Sequence, residues 1–276
     1  MGKTKLALFI VLLSCVACSK TPDVKDLDQQ KLQQQQAQQG YPILIASPEI
    51  ADYALPFCEK KYCIEVEIFD FNSQDQWFNQ FTDQQIADLI RQKLALKQKM
   101  SLQAAVDQFV ILSDEWQAQT ENQSKKAWSL YIKPRVATQQ GEIALLQINA
   151  EYDVGEEKVP AQDYYFVVDR KKQQMIRLYD IIAPKYRAAL TDVIQQHYQD
   201  WQQQWSVQQQ QAFTGKQPEK LYWANQDWFF DDQGIAIYYR GTDLSTKTTK
   251  NLVIYLTPEQ TRQWVLADYL QQFHLL

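Results

Sequence analysis

Residues 64–68 read Ile-Glu-Val-Glu-Ile, so apolar and charged positions alternate one for one. Successive side chains of a strand point to opposite faces, and this pattern predicts a strand over 62–71 with one face in a core and the other wet. The run Pro42-Ile-Leu-Ile-Ala46 is a second, shorter strand candidate. The period then changes. Phe78, Phe81, Ile86, Leu89, Ile90 and Leu94 recur at helical spacing, which predicts a helix capped by Ser73 and running to about Gln98. Ser101 opens a second helix to about Thr120, with Leu102, Ala105, Val106, Phe109, Leu112 and Trp116 turned inward.

Period two returns over 126–180. Trp128, Leu130 and Ile132 alternate, the chain turns at Gln139-Gln140-Gly141, and Leu146, Ile148, Ala150, Tyr152 and Val154 lead back. Tyr164, Phe166 and Val168 make a third strand, and 175–178 return after a polar turn. This is an antiparallel meander. Pro184 precedes a third helix over about 185–211, with Leu190, Ile194, His197, Tyr198, Trp201 and Trp205 on one stripe. Asp231-Asp232-Gln233-Gly234 is a hairpin turn between two short apolar runs. A last strand at 252–256 leads to Thr257-Pro258 and Gln260, a capped start for the final helix. The predicted class is α+β: antiparallel sheet with packed helices, in two successive units, 41–155 and 156–276.

What precedes residue 41 is of another kind. Lys3 and Lys5 lead into a wholly apolar run at 6–13, followed by Ser14, Cys15, Val16, Ala17 and Cys18. A basic start, a short apolar run and a small-residue site make an export signal, and the run is too short to span a bilayer. The segment resembles a lipobox, in which a peptidase cuts before a cysteine that then carries diacylglycerol. Cys15 follows Leu12 at the usual spacing. Cys18 follows Ala17, and its choice leaves Cys58 and Cys63 as an even pair. Cys18 is the expected acylated residue, with residues 1–17 removed, and Cys15 is the alternative. Acyl chains such as palmitate hold firmly, each buried CH₂ contributing about 0.8 kcal/mol. Residues 18–40 are polar and rich in Gln, a tether. Ser19 in place of Asp points to an outer-membrane, periplasm-facing address by the same resemblance. An exported chain tolerates a disulfide, and Cys58 and Cys63 close a short loop before the first strand.

Charge narrows the partners. The formal net charge is -5, and loss of Lys3 and Lys5 leaves 26 basic side chains against 33 acidic ones. Nucleic acid binding draws on counterion release by basic side chains, so DNA and RNA are disfavoured, and a basic partner gains. Only 7 glycines are present, too few for Gly-rich phosphate loops. GxSxG, HExxH and P-loop patterns are missing. Glu65 and Glu67 share a strand face at about 7 Å, a separation that suits an inverting glycosidase. Alternation with solvent explains both carboxylates fully. His197 lies beside Tyr198 and Trp201 and is expected as a packed core residue. Asp231 and Asp232 suit turn chemistry. No catalytic residue, metal site or cofactor is assigned.

Three segments carry a family resemblance. The hairpin over 165–182 runs strand, polar turn, strand and then Leu178-Tyr-Asp180. Trp228-Phe-Phe-Asp-Asp-Gln-Gly-Ile-Ala-Ile-Tyr-Tyr239 is the second, and the closing strand and helix at 251–270 the third. Together they resemble the RsiV-like family, the domain of unknown function 3298, with its usual partner domain ahead of it, over about 41–276. The family often carries an apolar, Pro-containing segment after the second hairpin; here Arg240-Gly-Thr-Asp-Leu-Ser-Thr-Lys-Thr-Thr is polar. The resemblance implies an envelope binding module that recognises a lysozyme-like protein or peptidoglycan, and it transfers no active-site residue. A cell-wall hydrolase using Glu65 and Glu67, and an envelope scaffold or assembly lipoprotein, are the alternatives.

Overall fold

The computed structural model describes residues 41–45, 49–53, 55, 63–119, 128–155, 158–204, 217–244 and 250–275. The signal, the tether, Cys15, Cys18, Cys58 and Trp205 lie outside the described residues.

Five strands form the larger sheet: β1 (Glu65–Ile68), β2 (Ser129–Gln140), β3 (Ile143–Asp153), β4 (Lys158–Asp169) and β5 (Gln174–Met175), side by side in that order. β1 runs parallel to β2, and every other pairing is antiparallel. Helices α1 (Gln76–Lys93) and α2 (Leu102–Gln119) cover one face. Even-numbered residues of β3, from Ala144 to Tyr152, point toward them and meet Phe78, Ile86, Ile90, Val106 and Phe109 in one core. Odd-numbered Ile143 and Leu145 point the other way, into a second core. Farther along, that same face turns polar: Gln147 accepts from Arg135 Nε at 2.9 Å, and Asn149 donates to Asp163 at 2.9 Å.

The second core is built by the C-terminal elements. Short α3 (Leu178–Ile181) and a 3₁₀ turn lead into α4 (Arg187–Gln203). A smaller antiparallel sheet follows: β6 (Trp228–Asp231), β7 (Gly234–Tyr239) and β8 (Leu252–Tyr255), with α5 (Gly241–Leu244) before β8. Helices α6 (Pro258–Trp264) and α7 (Ala267–Gln272) close the chain. Leu190, Ile194, Tyr198, Trp228, Phe230, Ile237, Trp264 and Phe273 are buried together here. The fold is α+β, with helices packed on antiparallel sheet. Its two layers share the larger sheet: residue 155 lies in the connection between β3 and β4, which pair from Ile143↔Asp169 to Asp153↔Lys158.

Local chemistry explains the helix ends. Asp75 caps α1, its Oδ1 accepting from Phe78 N at 3.0 Å. Ser73 makes a clasp instead, its hydroxyl donating to Asn79 Oδ1 at 2.7 Å while Asn79 Nδ2 donates to Ser73 O. The helix stops at Lys93 because Ala95 turns left-handed, with φ +54°, and Leu96 N donates back to Arg91 O. Ser101 caps α2 through Ala104 N. Thr257 and Gln260 satisfy each other's backbone at the start of α6, as the sequence predicts.

Besides the Ser73 cap, which Asp75 replaces, three expectations are corrected. The run from Pro42 pairs with no strand over 42–45; Gln139 takes its backbone instead, accepting from Leu44 N and donating to Pro42 O. The return after β4 pairs for two residues only, since Leu178 starts α3. His197 is exposed. The segment 217–223 covers α4 from the side of Thr191, Gln195, Tyr198 and Gln202, and His197 lies on the flank beyond that cover. Among the described residues no helix is long and apolar enough to cross a membrane.

Candidate functional site

A cleft of about 600 Å³ opens where the end of β2, the β6–β7 turn, α6 and the C-terminal tail converge. Its volume falls in the range of ligand pockets. A register shift in β2 supplies one wall. Val136 pairs with Leu146, but Thr138 pairs with Leu145. Directly opposed residues share a face, so the extra residue, Ala137, flips the parity. Thr138 and Gln140 therefore turn away from the helices and into the cleft, while Gln139 turns to the helix side and holds the 42–44 segment.

The second wall is the turn Asp231-Asp232-Gln233-Gly234. Asp231 Oδ1 accepts from Gln233 N at 2.9 Å, and Oδ2 accepts from Tyr255 Oη at 2.8 Å. Gly234 sits at φ +120°, which suits a residue without a side chain. Thr261 and Arg262 of α6 form the third wall, and His274 and Leu275 the fourth. Phe230 and Phe273, stacked at 4.7 Å and 22°, close the floor. Asp232, Gln233 and Arg262 are exposed at the rim. Two oxygens in the walls, Gln140 Oε1 and Thr261 Oγ1, are withdrawn from water and have no hydrogen-bond partner among the described residues. A buried polar atom left so costs roughly 1–3 kcal/mol.

A second polar cluster lies between the two sheets. Asp227 Oδ2 accepts from Tyr165 N at 3.1 Å and from Arg240 Nη1 at 2.6 Å. Arg240 also reaches Asp243 at 3.1 Å and stacks on the Tyr164 ring at 4.4 Å. Burial raises Asp227 above the ordinary carboxylate value, and Arg240 opposes the rise. Burial works to lower Arg240, but Asp227 and Asp243 overcome it and its pKa is raised.

The residues singled out in the sequence are scattered. Glu65 and Glu67 are exposed on β1, away from the cleft. Cys63 is half-buried just before β1. Asp231 and Asp232 do line the cleft. Among the described residues no group of three or more His, Cys, Asp or Glu is placed to hold a metal. Sequence pattern does not single out Thr138, Gln140, Thr261, Arg262 and Phe273 as a site. The slip of alternation at Val136-Ala137-Thr138 is the signal that finds the first two.

No family model and no curated protein matches the chain. Among the solved structures that share its shape are two DUF3298 family proteins. A DUF3298 family protein from Pseudomonas aeruginosa PAO1 matches with TM-score 0.58 over 82% of this chain and 96% of its own, at 12% identity. The chain has the fold of that DUF3298 protein. A member of the same family from Bacteroides fragilis NCTC 9343 matches with TM-score 0.51 over 83% of this chain and 95% of its own, also at 12% identity. Such coverage reaches well beyond residues 165–270, within which the three sequence segments lie. At this identity the likeness concerns the path of the chain, and no residue role crosses with it.

Proposed function

We propose that this chain is a lipid-anchored, RsiV-like binding module of a bacterial-type cell envelope, facing the periplasm, whose cleft holds part of a peptidoglycan glycan. The cleft carries the proposal: hydroxyl and amide side chains in the walls, a rim bearing both signs of charge, and a base closed by the buried Phe230 and Phe273. A sugar ring offers the complement, a border of hydroxyl and amide groups. Both Asp231 oxygens are already engaged, which suits holding a ligand better than transferring its protons. The acidic balance of the mature chain leaves a basic, lysozyme-like protein as the competing partner.

The test is retention of the mature chain on purified peptidoglycan and on an immobilised basic muramidase at low salt. Retention on peptidoglycan that Thr261→Tyr abolishes supports the reading. Retention on the muramidase alone assigns a protein partner, and retention on neither removes the module. Mass spectrometry of the native protein tests the address. The expected N-terminus is an acylated Cys18, with Cys58 and Cys63 joined; an unprocessed Met1 would end the lipid-anchor reading.

A further inference from the structure

A second, narrower recess of about 150 Å³ lies beside β4. It exists because β5 is short. After Met175 the chain leaves the sheet, so β4 has no strand neighbour from β5 at Tyr165, and Asp227 takes the Tyr165 N–H in place of a strand carbonyl. The walls include Phe166, Val167, Met175, Ile176 and Trp228, and Asp227 is among the lining residues. Both hydrogen bonds to that carboxylate, from Tyr165 N and Arg240 Nη1, fall on Oδ2. Oδ1 takes part in neither, and the side chain keeps 17% of its surface exposed. At the mouth, Arg177 is already held on Asp180 at 2.9 Å. The neighbouring charges are Asp227, Asp243 and Asp163 against Arg240 and Arg135, an acidic excess of one.

We infer that this slot binds an alkylammonium group, its hydrocarbon stem between Val167, Met175 and Trp228 and its nitrogen on Asp227 Oδ1. Apolar walls favour the stem, and a partly desolvated carboxylate favours a cation over a neutral head group. The shared chemistry fits either a lysine side chain of a basic partner or a free alkyl amine. The glycan cleft is a separate site and its failure would leave this inference standing.

Trp228 reports occupancy, because its indole N–H donates to Ile176 O at 3.0 Å in the wall. The full chain is titrated with n-butylammonium, n-butanol and a capped lysine amide while the Trp228 indole resonance is followed by NMR. A saturable shift with n-butylammonium, at least tenfold weaker with n-butanol, is expected. Asp227→Asn should abolish it. Met175→Trp, which narrows the mouth without touching the Asp227–Arg240 pair, should abolish it too and guards against misfolding of the first variant. A shift with the capped lysine amide as well assigns the slot to a protein side chain, and a shift with n-butylammonium alone assigns it to a free amine. Equal response to n-butanol, no response to any probe, or a response that survives Met175→Trp overturns the inference.

Discussion

Arg240 Nη1 lies 2.6 Å from Asp227 Oδ2, and this ion pair sits between the two sheets with both side chains mostly withdrawn from water. Removing one partner leaves a buried charge uncompensated, whereas replacing both can be nearly neutral. Asp243, 3.1 Å from Arg240, keeps part of that compensation, so Asp227→Ala should lose about 3 kcal/mol, the low end for a broken buried pair. The double variant Asp227→Ala with Arg240→Met should recover much of that loss. Urea unfolding of both variants checks it, and equal losses would show that Arg240 left without Asp227 costs the fold nothing.

Ala95 ends α1 at φ +54°, a conformation that costs an L-residue roughly 1–2 kcal/mol and glycine almost nothing. Ala95→Gly should raise stability by about 1 kcal/mol, part of the gain being lost to the freer unfolded chain. The expected readout is a higher denaturation midpoint with an unchanged urea slope.

Gly155 has φ +86°, and a Cβ built on it would meet the Trp116 ring at 2.5 Å. Gly155→Ala combines that clash with a left-handed backbone, so it should cost about 1–3 kcal/mol from the backbone alone. A melting curve indistinguishable from the parent would contradict the close approach of α2 to the β3–β4 connection.

Tyrosine burial makes the fold sensitive to alkali. Tyr165 is pushed up to about 12 by burial and by Asp163, and Tyr255 to about 12 by burial and its hydrogen bond to Asp231. Tyr152, Tyr238 and Tyr239 are raised as well, chiefly by burial. The folded value is the higher one, so the unfolded chain releases these protons first. Their contribution is intact below the ordinary tyrosine value of about 10 and is lost as pH rises toward about 12. Melting temperature should fall across that interval while tyrosinate absorbance rises with unfolding. A flat melting temperature there would refute the argument.

Much of this architecture is legible in the sequence because it follows from periodicity. The meander from Trp128 to Met175, both early helices and the Thr257 cap each rest on a local rule that the tertiary fold does not oppose. The misreadings have a common source in tertiary contacts. His197 shares the helical stripe of Tyr198 and Trp201, yet its exposure is decided by where the distant 217–223 segment lies. Pro42 to Ile45 looks like a strand, but a glutamine side chain claims its backbone. The cleft escapes a reading by periodicity for the same reason. Its walls come from four separate segments, one of them about 90 residues before the other three, and two of its residues face it only because a single extra residue slips the register.

That extra residue gives the sharpest test of the cleft. Deleting Ala137 would make Val136↔Leu146 and Thr138↔Leu145 consecutive pairs, so the slip would vanish while every later residue keeps its face. Thr138 and Gln140 would still turn into the cleft. Gln139 would still accept from Leu44 N at 2.9 Å and donate to Pro42 O at 3.0 Å. The pairing from Ser129 to Val136 precedes the slip and has no reason to change. Hydrogen exchange should therefore show the Leu44, Leu130 and Ile132 amides all keeping their protection. Retention on peptidoglycan should persist in the same variant. Loss of protection at Leu44 alone would mean that Ala137 is not the extra residue, and the cleft would lose its structural basis.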